Sequence, residues 1–100
     1  MIRRVLVAEP ADLQIQGIET WWQRNRPASP ELFAREFAWA VDFLSACPTM
    51  GTPIRANPKE IRRVYLKKTR YHIYYRLDHA AQVVEIRAVW HTARGTSPKV

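Results

Sequence analysis

The sequence predicts an α+β domain of two layers, in which an N-terminal strand and a helical hairpin pack on a mainly antiparallel sheet. Three observations predict it. Apolar residues recur at helical spacing through residues 11–47, they alternate with period two through 61–90, and prolines or short polar turns separate the runs. A chain of 100 residues with 47% apolar side chains suffices for one domain, residues 1–100, around one core.

Ile2 to Ala8 is a nearly continuous apolar run, with Val5 and Val7 on one side and Ile2, Leu6 and Ala8 on the other, and it predicts a strand inside the sheet. Pro10 suits the first turn of a helix, where its missing N–H costs nothing. Ala11, Ile15, Ile18 and Trp22 then form one stripe toward the core, opposite the solvent residues Asp12, Gln16, Glu19 and Gln23. Leu13 and Trp21 fall off that stripe, so they either pack against the next helix or stay exposed for a partner. Asn25-Arg26-Pro27 ends this helix. Ser29-Pro30-Glu31 predicts the start of a second one, as N-cap, N1 proline and an acid near the positive end of the helix dipole. Its central stripe is Phe33, Phe37, Ala40, Leu44 and Cys47, widened by Val41 on one flank and by Leu32, Trp39 and Phe43 on the other. So wide an arc needs cover on two sides, from the sheet and from the first helix or a partner. Pro48 and Gly51 end the helix, and residues 49–60 form a loop with a short edge segment near Ile54.

Residues 61–77 predict two strands whose faces differ in chemistry. Val64 and Leu66 oppose Arg63, Tyr65 and Lys67, while Tyr71, Ile73, Tyr75 and Leu77 oppose His72, Tyr74 and Arg76. With the turn at Lys68-Thr69, Leu66 pairs with Tyr71, which sets Val64 against Ile73 and Arg63 against Tyr74. In a third strand Val84, Ile86, Ala88 and Trp90 form the core face, and Glu85, Arg87, Val89 and His91 the other. A four-residue loop, 79–82, places Leu77 opposite Val84. That register aligns Arg63, Tyr74 and Arg87 in one row and puts Arg70 beside His91. A short polar tail follows Thr92.

The net charge of +7 is unevenly placed: residues 1–50 hold five Lys/Arg against six Asp/Glu, and residues 51–100 hold eleven against three. Positive potential therefore gathers on the sheet side and favours a polyanion or an acidic partner. The lone Cys47 argues against a disulfide framework and suits a reducing compartment. With no charged leader, and no apolar run near the roughly 18 residues that span a bilayer, a soluble cytoplasmic protein is expected.

Several chemistries find no support. Gly17, Gly51 and Gly95 are too far apart for a phosphate loop, and the three histidines and Cys47 lack metal-ligand spacing. No serine stands in a nucleophile elbow. Glu85 is the only carboxylate on the sheet face, placed to pair with Arg76 across the strands. No metal or cofactor is expected. What remains is a surface of Arg63, Tyr65, Lys67, Arg70, His72, Tyr74, Arg76, Arg87, His91 and Arg94. Its cations neutralise phosphates, its tyrosines stack on a splayed base, and His91 is a candidate to move a proton.

The order of strand, helical hairpin and three strands, with Arg62-Arg63, the run Arg70-Tyr-His-Ile-Tyr-Tyr-Arg76 and the ending Val89-Trp-His-Thr-Ala-Arg-Gly95, resembles the RelE/ParE superfamily of type II toxin-antitoxin toxins. The resemblance covers nearly the whole chain. It implies a cytoplasmic prokaryotic growth inhibitor neutralised by a cognate antitoxin, acidic and partly disordered, whose extended segment and helix wrap the toxin. The apolar flank of Leu13, Trp21 and Trp39 is then the expected antitoxin surface. The superfamily holds two activities: ParE-like members act on DNA gyrase, and RelE-like members cut messenger RNA in the ribosomal A site. Under the second, Arg63, Arg87 and His91 stand at the catalytic positions. No tyrosine follows the last strand here, and His91 with Arg94 resembles the ParE-type ending, so gyrase inhibition is the expectation. The alternatives are a ribosome-dependent endoribonuclease and a non-toxic basic nucleic-acid-binding module.

Overall fold

In the computed structural model, which describes residues 3–100, the chain runs β1 (Arg4–Val7), α1 (Glu9–Asn25), α2 (Leu32–Ala46), β2 (Thr52–Arg55), β3 (Glu60–Leu66), β4 (Tyr71–Asp78) and β5 (Val83–His91). The sheet order is β1-β5-β4-β3-β2, antiparallel except for the parallel pairing of β1 with β5. Both helices pack on one face. There Ala11, Ile15 and Trp22 of α1 and Phe33, Ala40 and Leu44 of α2 meet Leu66, Ile73, Tyr75, Val84 and Ile86 in one buried cluster.

The two helical stripes follow the 3.6-residue period, and both bury their predicted centres. On their flanks the second of the two alternatives holds. Leu13 and Trp21 do not pack against α2; they are 62% and 43% exposed, and Trp39 is 57% exposed. Cys47 also leaves its stripe: it follows the last helical residue, its backbone has turned out of the helix, and its side chain is exposed. Ser29 does not cap α2. Leu32 N–H donates to the Ser29 carbonyl, so Ser29-Pro30-Glu31 is the turn that leads into the helix and its hydroxyl is not used as a cap.

β1 lies at an edge of the sheet, not inside it. It pairs with β5 alone, and Leu6 and Val7 are exposed, so of this apolar run it is Val5 that packs against the core. Ile2 lies outside the described residues. The edge segment near Ile54 is β2, antiparallel to β3. Two side chains fix the loops around the sheet. Tyr75 is fully buried on β4; its hydroxyl donates to the Pro48 carbonyl and accepts the Gly51 N–H, pinning the turn between α2 and β2. Glu36 of α2 accepts from Lys68 N–H, Thr69 N–H and the Thr69 hydroxyl at 2.7–2.9 Å, which holds the β3–β4 turn against the helix.

The β3–β4 register matches the sequence expectation, including Val64 opposite Ile73 and Arg63 opposite Tyr74, and Leu77 pairs with Val84. Further along, β4 and β5 slip by one residue. Tyr75 pairs with Ile86 but Tyr74 pairs with Ala88, leaving Arg87 as the extra residue of a bulge. Beyond it the faces of β5 exchange. Val89 joins the core, Ala88 and Trp90 go to the face away from the helices, and the residue opposite His91 is Tyr71, not Arg70. β1 ends its pairing at Ile86, and past that point α1 covers the β5 edge: Val89 N–H donates to the Gln14 side-chain carbonyl at 2.8 Å.

Candidate functional site

The cationic and aromatic residues expected on one plane fall into four settings that share His91 and Lys68 and meet where the Tyr65 ring lies 5.2 Å from His72. The first is central. Arg63 donates to the Tyr74 hydroxyl at 3.2 Å and lies over its ring, with the centroid 5.9 Å away. His72 is beside them on the same face. Burial, reinforced by the Arg63 charge, lowers the His72 pKa below its ordinary value and favours the neutral imidazole. Tyr74, however, is 4% exposed and not free to stack on a base. The C-terminal tail covers it. After a turn at Thr92–Arg94, Gly95 adopts a left-handed conformation, φ 71°, that bends the chain back. The Trp90 indole N–H donates to the Thr96 carbonyl, and Arg55 of β2 donates to the Val100 carbonyl, so residues 96–100 cross the sheet from β5 toward β2. Beneath them lies a small pocket of about 240 Å³ walled by Arg63, His72, Tyr74, Trp90, His91 and the tail.

The second setting is a row of ion pairs. Arg76 and Glu85 are opposite one another, yet each pairs along its own strand: Arg76 with Asp78 at 2.8 Å and Arg87 with Glu85 at 2.9 Å. Arg87 keeps to the face of Arg63 and Tyr74, one place out of the predicted row and neutralised by Glu85.

The third is a groove of about 850 Å³ between α1 and the β3–β4 turn. Leu13, Gly17, Trp21 and Trp22 form one wall, and Arg26, Lys68, Arg70, His91 and Arg94 bring positive or titratable groups to it. Arg26 stacks on Trp21, 4.9 Å from the ring centroid, and Arg94 on Trp90 at 4.0 Å. The Trp22 indole N–H, buried at this groove, has no acceptor among the described residues. His91 sits here because the bulge turned it to the helix side; its ring meets Tyr71 edge-on at 4.8 Å, and its Nδ1 accepts the Ala93 N–H. The fourth is a smaller groove of about 480 Å³ between α2 and the free end of β3, lined by Leu32, Arg35, Trp39, Tyr65, Lys67 and Lys68. Trp39 is thus in a different groove from Leu13 and Trp21.

Gln14, Arg26 and Arg35 were not singled out by sequence. Arg26 carries a signal that points to it, since it follows the Trp21-Trp22 pair at four or five residues, within reach on one helix flank. Gln14 and Arg35 carry none.

The fold is shared with solved toxins. A chain of the archaeal RelE-RelB complex from Pyrococcus horikoshii OT3 superposes with a TM-score of 0.65 at 17% identity, over 95% of this chain and 100% of that one. A free-state RelE mutant from Escherichia coli gives 0.61 at 16%, over 94% and 88%. A chain of the RelBE2 toxin-antitoxin complex from Mycobacterium tuberculosis gives 0.51 at 21%, over 91% and 99%. A comparison with curated protein sequences finds no significant match. The family of ParE toxins of the parDE type II toxin-antitoxin system matches residues 5–95, nearly the whole of the sheet and both helices. On that match the chain belongs to the ParE toxin family of type II toxin-antitoxin systems, within the RelE/ParE superfamily.

Proposed function

We propose that this toxin arrests growth by inhibiting DNA gyrase and is neutralised by an acidic antitoxin seated in the groove of Leu13 and Trp21. The observation that carries the gyrase reading is that Arg87 and His91 are each already engaged, although His91 lines the pocket under the tail together with Arg63. Cleavage by attack of a 2′-hydroxyl needs a base, a cation and an acid converging on one phosphate. Here Arg87 is neutralised by Glu85, and the His91 ring lies on the helix side with Nδ1 occupied as an acceptor. With that nitrogen engaged, the neutral ring carries its proton on Nε2 and offers no free lone pair as a base.

The antitoxin reading is supported by the complexes in which related folds are found and by the groove's chemistry: the exposed Leu13 and Trp21 beside cations that make no ion pair among the described residues, and an indole N–H that lacks an acceptor among them. Trp39, in its separate groove, is a second antitoxin contact. The cytoplasm, where both gyrase and ribosomes work, is the setting this function requires.

A second reading, ribosome-dependent messenger cleavage, is favoured by one observation. His72 is held neutral beside the Arg63 guanidinium, which provides a base and a cation in the pocket under the tail. The two readings separate on expression of the chain alone. Growth arrest with a DNA-damage response, and loss of supercoiling by purified gyrase, supports the first. Cut ribosome-bound messages that disappear in Arg63→Ala or His72→Ala overturn it. His91→Ala and Arg87→Ala leave the gyrase effect within about twofold of the parent, and a large loss in either returns those residues to the site.

A further inference from the structure

α1 carries a second stripe that the fold does not use. Ala11, Ile15 and Trp22 are buried, whereas Pro10, Leu13, Gly17, Trp21 and Arg24, which follow one another at three or four residues away from the core, are all exposed. Gly17 is the midpoint of this stripe and of the helix Glu9–Asn25, with Leu13 four residues before it and Trp21 four after. Glycine is poorly suited to a helix interior, and nothing inside the molecule calls for it here: a Cβ at Gly17 meets no atom within 4 Å among the described residues. A missing side chain at the centre of an uncovered apolar stripe fits close approach by another backbone.

The two halves of the stripe are complementary in charge. Glu9 and Asp12 stand in the first turn, Arg24 stands in the last turn, and Arg26 follows the helix. None of the four belongs to an ion pair among the described residues. Turned end for end about an axis through Gly17, the helix lays Leu13 on Trp21, Pro10 on Arg24, and its acidic end on its basic end. An acidic foreign segment accounts for the cations but not for this match of the two halves; a second copy of the same helix accounts for both. We infer that two free copies of this chain dimerise through α1, antiparallel about a two-fold axis at Gly17, with Leu13 of each protomer against the partner's Trp21 and Glu9 beside the partner's Arg24.

The inference concerns the free chain and goes beyond the antitoxin reading, on which it does not depend. Because the dimer covers Leu13 and Trp21, it and an antitoxin seated there exclude one another. The test is sedimentation velocity of the purified full chain alone at about 1 to 100 μM, where a monomer–dimer equilibrium is expected. Gly17→Gln puts a better helix former into open space, so thermal unfolding of the dilute protein stays at or above the parent, while the dimer Kd rises about tenfold or more. Glu9→Arg and Arg24→Glu each weaken the dimer about threefold or more at low salt, and the two together restore it, because only the antiparallel arrangement sets one against the other. A monomer throughout that range, a dimer as tight in Gly17→Gln as in the parent, or a double variant no tighter than either single one overturns the inference. Absence of growth arrest sinks the toxin reading instead, whatever the oligomeric state.

Discussion

Single side chains decide local order here through the partners they satisfy. Tyr75 combines full burial with a hydroxyl that joins Pro48 and Gly51, and the same burial raises its pKa above the ordinary phenol value. A Cβ at Gly51 would run into that phenol ring, which is hemmed in on β4 and has no free end to swing away. Gly51→Ala is therefore expected to cost about 1–3 kcal/mol by overpacking, measured by denaturant unfolding, although the Gly51 backbone suits any residue. His72 acts through protonation. Its folded pKa is depressed below 6.5, so on acidification the unfolded chain takes up the proton first, and stability falls as pH drops below that value. Unfolding free energy measured between neutral pH and pH about 5 is expected to decline, and His72→Gln to flatten the decline. Glu60, held low by Arg62 and then His79, contributes in the same direction but only at more acid pH, below its ordinary 4.5.

Among the elements, β5 shows how one residue redirects a strand. Strict alternation from Val84 makes Val89 a solvent residue and Ala88 and Trp90 core; the bulge at Arg87 reverses that assignment for everything after it. Val89→Ala is expected to destabilise by about 1.5–3 kcal/mol, the worth of a buried valine or somewhat less, in thermal or denaturant unfolding. A loss under about 0.5 kcal/mol would mean that the uninterrupted alternation was right. Nothing in the local composition marks the bulge, because Arg87 is an ordinary residue for the open face and neither glycine nor proline stands near it. The helices were more legible. Their buried stripes follow from spacing alone, while exposure of Leu13, Trp21 and Trp39 depends on how far apart the two helices sit on the sheet.

At the scale of the whole molecule, the excess of positive charge in the second half of the chain does not form one surface. Arg76 and Arg87 are matched by Asp78 and Glu85, Arg63 lies under the tail, and Lys68, Arg70 and Arg94 line the groove beside α1. The potential is consequently concentrated at the end of the sheet where α1, the β3–β4 turn and the end of β5 meet, next to the uncovered tryptophans. The same basic composition thus serves a protein partner as readily as a nucleic acid. The sequence by itself determined the two-layer α+β class, both helical stripes, the β3–β4 register and the toxin family, because each rests on local periodicity, short turns or motifs that neighbours in the chain define. Tertiary structure alone decided that β1 is an edge, that β5 changes face, that the tail closes over Tyr74 and that Trp39 stands apart from Trp21. Those outcomes depend on which distant backbone groups find hydrogen-bond partners across the sheet, and pairing between segments far apart in the chain leaves no period in either of them.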